Sequence, residues 1–427
     1  MSADKWVLFD LDGTLIRSAE GIWNSVHWAA ERMGVPEPEE AVLNKLIGPP
    51  LIVSFKQLLG MTEAQAHKAL EYYHERYAER GWRENRVYPG IRRVIRTLRR
   101  AGFGTGIVTG KPELFTKKIL DHYGLLKLFD TVVCAPEGAD ADKAELIRAA
   151  LPENCETAWM VGDRYGDIAG GKKAGTRTLG VAYGYGTENE LLDAGADRIA
   201  RTVGEVADVL CPGAETPVGA FLSMEGPDGS GKSTQITKLT DALDRFGFEV
   251  VHSREPGGSR IGEKIREILL DRENAEMTDV TEALLYAASR AQHVRETILP
   301  TVRAGKVLLC DRYADSSVAY QGGGRGLGVE AVLRMNEHAM DGCLPLVTVY
   351  LDIDHRAAMK RRFSAAVPDR LEAEAEDFHA RVEDAYHELI RRDPGRFVVV
   401  DAARDPDTVG SEIAEKVLKR LLEAESE

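Results

Sequence analysis

The sequence predicts an α/β protein of two domains, each a parallel sheet covered by helices, and three observations predict it. Short apolar runs alternate with helix-like stretches through both halves, the order that builds parallel sheets. One such run, Ala220–Met224, opens into Gly226-Pro-Asp-Gly-Ser-Gly-Lys-Ser233 and a helix-like stretch behind it. Another, Trp6–Asp10, runs into the acid pair Asp10 and Asp12. A chain of 427 residues also exceeds what one ordinary core holds.

In the first half, strands are expected at Trp6–Asp10, Gly104–Thr109, Thr131–Cys134 and Ala158–Gly162. Residues from about 16 to 87 show no strand pattern and read as a helical insertion, with Ala64–Glu79 one of its helices. The stretch 211–218 lacks periodicity and carries Pro212, Gly213 and Pro217, so it is expected to link a domain over 1–210 to one over 219–427. In the second half, the strands expected are Ala220–Met224, Glu249–Ser253, Lys306–Cys310, Leu346–Leu351 and Arg396–Val400.

Composition narrows the function. With 44% hydrophobic and 29% charged residues, the chain can bury a substantial core. A formal net charge of -14 argues against nucleic acid and anionic membrane as partners, since both need gathered Lys and Arg. No apolar run is long enough to cross a bilayer, and the first residues carry neither a basic region nor an apolar signal, so a cytoplasmic protein is expected. Five scattered cysteines, odd in number and without a CxxC pair, point away from disulfides and zinc.

The segment Gly226–Ser233 is GxxxxGKS in its required context, strand before and helix after. Gly226, Gly229 and Gly231 let backbone amides converge on phosphate oxygens, and the helix start adds positive potential. ATP is therefore expected against Gly226, Pro227, Asp228, Gly229, Ser230, Gly231, Lys232, Ser233 and Thr234, with Lys232 reaching the β- and γ-phosphates and the Ser233 hydroxyl helping to hold Mg2+.

A phosphate loop names a nucleotide but not a reaction. Downstream stand Ser253-Arg-Glu-Pro-Gly-Gly258, Leu284-Leu-Tyr-Ala-Ala-Ser-Arg290, Cys310-Asp-Arg-Tyr313 and Ser316-Ser-Val-Ala-Tyr-Gln-Gly-Gly-Gly-Arg-Gly326. With these, residues from about 218 to 423 resemble thymidylate kinase, which implies a P-loop nucleoside monophosphate kinase fold that phosphorylates dTMP with ATP. The resemblance places Asp228 near the acceptor, Arg254 and Arg312 on its phosphate, Tyr286 stacked on thymine and Arg290 one turn later in the same pocket. Ser317 and Gln321 join as further dTMP contacts, and Asp311 stands where a carboxylate assists Mg2+. The expected lid, Met359–Glu372, keeps Arg361, Arg362 and Arg370 but has Phe363 and Ala365 where further basic residues are common. Arg361 or Arg362 is expected to close over the phosphates. Relatives of this kind are commonly homodimers.

In the first half, alternation along an extended chain puts the Asp10 and Asp12 side chains on one side. One carboxylate can then attack phosphorus while the other handles the leaving-group proton, with Mg2+ between the charges. Ile107-Val-Thr-Gly-Lys-Pro112, Asp142-Lys143 and Met160-Val-Gly-Asp-Arg-Tyr-Gly-Asp167 follow in order. This set resembles the haloacid dehalogenase superfamily over residues 5–209, which implies a Rossmann-like core and hydrolysis of a small phosphomonoester. The resemblance makes Asp10 the nucleophile, Asp12 the acid and base, and Thr109 and Lys143 the phosphate ligands. Asp10, the backbone carbonyl of Asp12, Asp163 and Asp167 would hold Mg2+. Lys143 is not followed by proline as in many relatives, which leaves Lys111 as a competitor.

The insertion carries Ile47-Gly-Pro-Pro-Leu51 and resembles the cap of phosphoglycolate phosphatase and 5'-nucleotidase-like members. A kinase fused to an enzyme that destroyed its own acceptor would cycle wastefully, which directs the expected substrate away from dTMP. The rival reading is a broader nucleoside monophosphate kinase fused to a non-catalytic module.

Overall fold

The computed structural model describes residues 4–49, 51–136, 141–363, 371 and 374–425. The chain divides into two compact units, Met1–Thr216 with Asp244–Phe248, and Pro217–Leu243 with Glu249–Glu427. Each has its own sheet. The α/β class expected from the sequence is what both contain.

The first unit contains β1 (Lys5–Phe9), β2 (Ile16–Arg17), β3 (Arg86–Val87), β4 (Gly104–Thr109), β5 (Thr131–Cys134), β6 (Thr157–Gly162), β7 (Arg177–Val181) and β8 (Arg198–Ala200). Six of these form one sheet in the order β5-β4-β1-β6-β7-β8, all paired in parallel. Val7, Leu8 and Phe9 are fully buried, as a strand covered on both faces requires. From β1 the chain builds outward through β4 and β5, then returns to β6 on the other side of β1. That reversal opens a crevice beyond the carboxyl ends of β1, β4 and β6.

Between β2 and β3 lie the helices Ala19–Met33, Leu51–Leu59 and Glu63–Glu79, with a core of their own that includes Val26, Phe55, Ala69, Tyr73 and Tyr77. Thr62 and Gln65 form a reciprocal cap that starts the last of these helices. Two expectations are corrected. The insertion is not free of strands, because Ile16–Arg17 pairs antiparallel with Arg86–Val87 at its base. Two residues are too few for any periodicity to register. The sheet also gains β7 and β8, which the sequence did not suggest. β8 has three residues, and β7 alternates too weakly to stand out.

The second unit contains β9 (Ala220–Glu225), β10 (Val250–Arg254), β11 (Val307–Asp311), β12 (Val347–Asp352) and β13 (Phe397–Asp401), in the order β10-β11-β9-β12-β13 and all parallel. β9 is central, and helix Lys232–Arg245 follows the loop that leaves it. The longer helices Arg260–Leu270, Asp279–His293, Val329–Met340, Glu376–Arg392 and Pro406–Ala424 also belong to the unit. Among the described residues no helix is long and apolar enough to cross a membrane. Of the expected lid, residues 364–370 and 372 lie outside the described residues, Arg370 among them.

Candidate active sites

In the first unit, Asp10 directly follows β1, and its backbone N–H donates to the Val161 carbonyl of β6 at 2.9 Å. Asp163 follows β6, and Asp167 lies in the first turn of helix Tyr165–Ala174. Carboxylate oxygens of Asp10, Asp163 and Asp167 lie within 4.8 Å of one another. An all-oxygen set of three acids fits a hard divalent cation such as Mg2+. Burial pushes the Asp10 carboxyl up to about 7 against the opposing charge of Lys143, and burial with the neighbouring acids raises Asp163 well above its ordinary value.

Lys143 opens its helix and sets its ammonium 2.6 Å from Asp10 Oδ1 and 2.7 Å from Asp167 Oδ1. Lys111, beyond the end of β4, donates to both Asp12 oxygens at 3.0 and 2.9 Å. The two lysines therefore do not compete for one place. Each serves one of the paired aspartates, and the Asp12 carboxylate stands outside the three-acid cluster. Thr109 ends β4 fully buried and accepts the Lys111 backbone N–H at 3.2 Å. Gly13 has φ of 83°, and a Cβ there would stand 2.2 Å from Asp163 Oδ2, so the turn after Asp12 needs glycine on both counts.

In the second unit the loop after β9 carries Gly226, Gly229 and Gly231 at φ of 140°, 83° and 97°, a left-handed backbone that turns successive amides inward. Lys232 donates to the carbonyls of Gly226 and Pro227, both at 3.0 Å. Ser233 and Thr234 are exposed on the first helical turn. Asp228 accepts a 2.6 Å bond from Arg312 and lies 3.6 Å from Lys232. Although burial opposes it, these two cations hold the Asp228 carboxyl well below the usual carboxylate range. Burial and the Arg312 charge lower Lys232 in turn. Arg312 itself has φ of 69°, a conformation that non-glycine residues rarely adopt and that clusters at functional sites. Asp311 Oδ1 and Ser230 Oγ are buried without a partner among the described residues, which fits a loop built to meet phosphate and a hydrated cation.

The residues expected around the base are gathered on neighbouring elements. Arg290 is fully buried, with Nη2 2.7 Å from Glu255 and 3.1 Å from Ser317 Oγ, and Nη1 donates to Asn336. Its Nε has no partner among the described residues. Gln321 donates to Glu282 at 2.9 Å, and among the described residues its Oε1 has no partner. Tyr286 is half-buried against the cluster of Val318, Tyr320 and Phe378. Two of the expected contacts are held by partners within the protein. Arg254 ends the edge strand β10, is 56% exposed and pairs with Glu263 at 2.9 Å. Arg361 donates to the carbonyls of Ala402 and Ala403. For Arg362 only the backbone is described.

Glu225 escaped the sequence reading. It ends β9 fully buried and accepts from Tyr313 N at 2.7 Å, Ser316 Oγ at 2.5 Å and Tyr386 Oη at 2.9 Å. Burial, with the nearby Asp315 charge, raises its carboxyl from 4.5 to about 7. Below about pH 4.5 it is protonated folded or unfolded, and between there and 7 only the folded state keeps the proton. Stability is therefore lost as pH rises through that window, by up to about 3 kcal/mol. Glu225→Gln keeps an acceptor and shape without the titration. Melting of the second unit from pH 5 to 8 should fall more steeply in the unaltered chain than in this variant, and parallel curves would refute the assignment.

Residues 224–413 match the family model for thymidylate kinase, and residues 7–181 match that for haloacid dehalogenase-like hydrolase. The thymidylate kinase of Geobacillus thermodenitrificans is 50% identical over 205 residues, 48% of this chain and 91% of that one. That of Finegoldia magna is 50% identical over 200 residues, 47% of this chain and 98% of that one. Among solved structures, a predicted phosphatase from Clostridium acetobutylicum aligns at 36% identity over 48% of this chain and 97% of its own, with a TM-score of 0.45. A haloacid dehalogenase-like hydrolase from Streptococcus pneumoniae aligns at 28% identity over 49% and 98%, also at 0.45.

Proposed function

The chain belongs to the thymidylate kinase family through its second unit and carries a haloacid dehalogenase-like hydrolase domain in its first, and from that premise we propose that it transfers phosphate from ATP to dTMP and, separately, hydrolyses a small phosphomonoester. The observation that carries the kinase reading is a buried donor and a buried acceptor left without partners among the described residues, Arg290 Nε and Gln321 Oε1. Unpaired buried polar atoms are costly, and a pyrimidine offers the complement, a ring carbonyl for the donor and a ring N–H for the acceptor. The loop amides and Lys232 hold the ATP phosphates, and Arg312, fixed beside the loop by Asp228, grips the acceptor phosphate. An acceptor oxygen bonds the γ-phosphorus as the bridging bond to the β-phosphate breaks, and ADP leaves. Phosphorylation rates for dTMP, dUMP, CMP and AMP test this. dTMP should lead by at least about tenfold in kcat/KM, and equal rates would favour the broader kinase instead.

In the first unit, an Asp10 oxygen attacks phosphorus, the ester oxygen departs with a proton from Asp12, and Asp12 then takes a proton from the water that cleaves the aspartyl-phosphate. Lys143 and Thr109 hold the phosphoryl oxygens, and Lys111 keeps Asp12 at the site. Mg2+ held by Asp10, Asp163 and Asp167 here, and by Ser233 with Asp311 in the kinase unit, would neutralise phosphoryl charge.

The kinase unit is proposed to pair with a second copy through helices Arg260–Leu270 and Asp279–His293. Ile261 and Ile268, seven residues apart on one, and Val280 and Leu284, four apart on the other, are large apolar side chains left exposed. Light scattering should give a dimer that becomes a monomer in a Leu284→Asp, Ile268→Asp double variant. An unaltered chain that is monomeric at micromolar concentration would end this reading.

A further inference from the structure

We propose that Tyr185 is a positioning residue that couples cation binding at Asp163 to the placement of the helical cap. The inference rests on the divalent-cation reading of the first unit given above. Helix Ala19–Met33 is the first element of the cap, and its N-cap residue Ser18 makes no side-chain capping bond. The first amides of a helix need acceptors from outside it. Here the Tyr185 hydroxyl supplies one from the core, accepting the Ser18 N–H at 2.7 Å and the Ala19 N–H at 2.8 Å.

The same residue reaches the cation cluster through its backbone. Tyr185 N–H donates to Asp163 Oδ2 at 2.8 Å, while Thr14 Oγ1 donates to Asp163 Oδ1 at 3.2 Å. Tyr183 Oη closes a second path by donating to the Thr14 carbonyl at 3.1 Å. Glycines flank Tyr185, and both are needed. A Cβ on Gly184 would stand 2.3 Å from Asp163 Cβ, and one on Gly186 would stand 1.9 Å from the Asp163 carbonyl oxygen. The turn Tyr183-Gly-Tyr-Gly186 is thus pressed on Asp163 at backbone distance and cannot follow a movement of one without the other.

Of the three acids gathered within 4.8 Å, Asp10 and Asp167 share the Lys143 ammonium, and a divalent cation among all three would engage Asp163 as well. Binding would fix the Asp163 carboxylate, the carboxylate fixes the Tyr185 amide, and the hydroxyl on the same residue fixes the start of the cap. Cation loading and cap docking then become one linked equilibrium.

The test uses the full chain and its Tyr185→Phe variant, which keeps the ring and loses the acceptor. Mn2+ binding is measured by paramagnetic resonance, and amide exchange at residues 18–22 is followed with and without Mg2+. In the unaltered chain Mg2+ should slow those amides about tenfold. In the variant Mn2+ should bind within about threefold of normal affinity while the Mg2+ effect falls below about twofold. A variant that keeps the full Mg2+ effect overturns the proposal, as does one that loses Mn2+ binding, since Tyr185 would then build the cluster rather than transmit from it. An unaltered chain that binds Mn2+ without any change at residues 18–22 overturns it while leaving the cation reading intact. One that binds no Mn2+ overturns both. A Gly186→Ala variant, which separates the turn from Asp163, should lose the Mg2+ effect even with the Tyr185 hydroxyl in place.

Discussion

Asp10→Asn is expected to lower phosphate release from p-nitrophenyl phosphate by about 10^4-fold while leaving ADP formation with dTMP unchanged. Asparagine has nearly the shape of aspartate but no anionic oxygen to bond phosphorus, so covalent transfer has no first step. Its amide would also present a donor toward the Lys143 ammonium, which now stands 2.6 Å from Asp10 Oδ1. Lys143 keeps its second partner Asp167 at 2.7 Å, so the site should stay assembled and the loss should fall on kcat. A residual rate within tenfold of the unaltered chain would remove Asp10 from the nucleophile's role. A parallel loss of kinase rate would show that the variant had damaged more than one site.

Arg312→Ala should lower kcat/KM for dTMP by about 10^3-fold, with Arg312→Lys recovering no more than about a tenth of what was lost. The guanidinium already spends one arm on Asp228 and one on Ser316, at 2.6 and 3.2 Å, a placement that depends on its fork. Lysine brings the charge without the second arm. The alanine variant also leaves Asp228 facing Lys232 alone at 3.6 Å, so the second unit should lose about 2 kcal/mol as well. Calorimetry separates the two effects, because the catalytic loss persists at temperatures where the variant is fully folded. Near-normal turnover in the alanine variant would point to another cation as the acceptor's grip.

Much of both sites could be read along the chain because local pattern and chemistry coincide there. Gly226–Ser233 joins a strand to a helix, and Asp10 and Asp12 follow a strand whose every apolar residue is buried. What stayed hidden depends on contacts between distant residues. Glu225 reads as the last residue of a strand, and its partners Tyr313, Ser316 and Tyr386 lie 88 to 161 positions away. Tyr185 sits in a glycine-flanked turn like many others, and only the fold brings it to Ser18, 167 positions back. Lys111 and Lys143 look equivalent in sequence, and geometry alone gives each its own aspartate. Strands of two or three residues, such as β2, β3 and β8, are set by pairing and carry too little pattern to announce themselves.

The narrow β2–β3 pair has a consequence for how such a hydrolase could change its diet. Ile16 opposite Val87 and Arg17 opposite Arg86 bring the two crossings of the chain side by side. The helices between Arg17 and Arg86 therefore enter and leave through one ribbon, and among the described residues the bonds that seat them on the core, from Tyr185 to Ser18 and from Arg164 to Ile47, are few. Other helices inserted at the same ribbon would alter which molecules are admitted, provided they keep a backbone N–H for the Tyr185 hydroxyl.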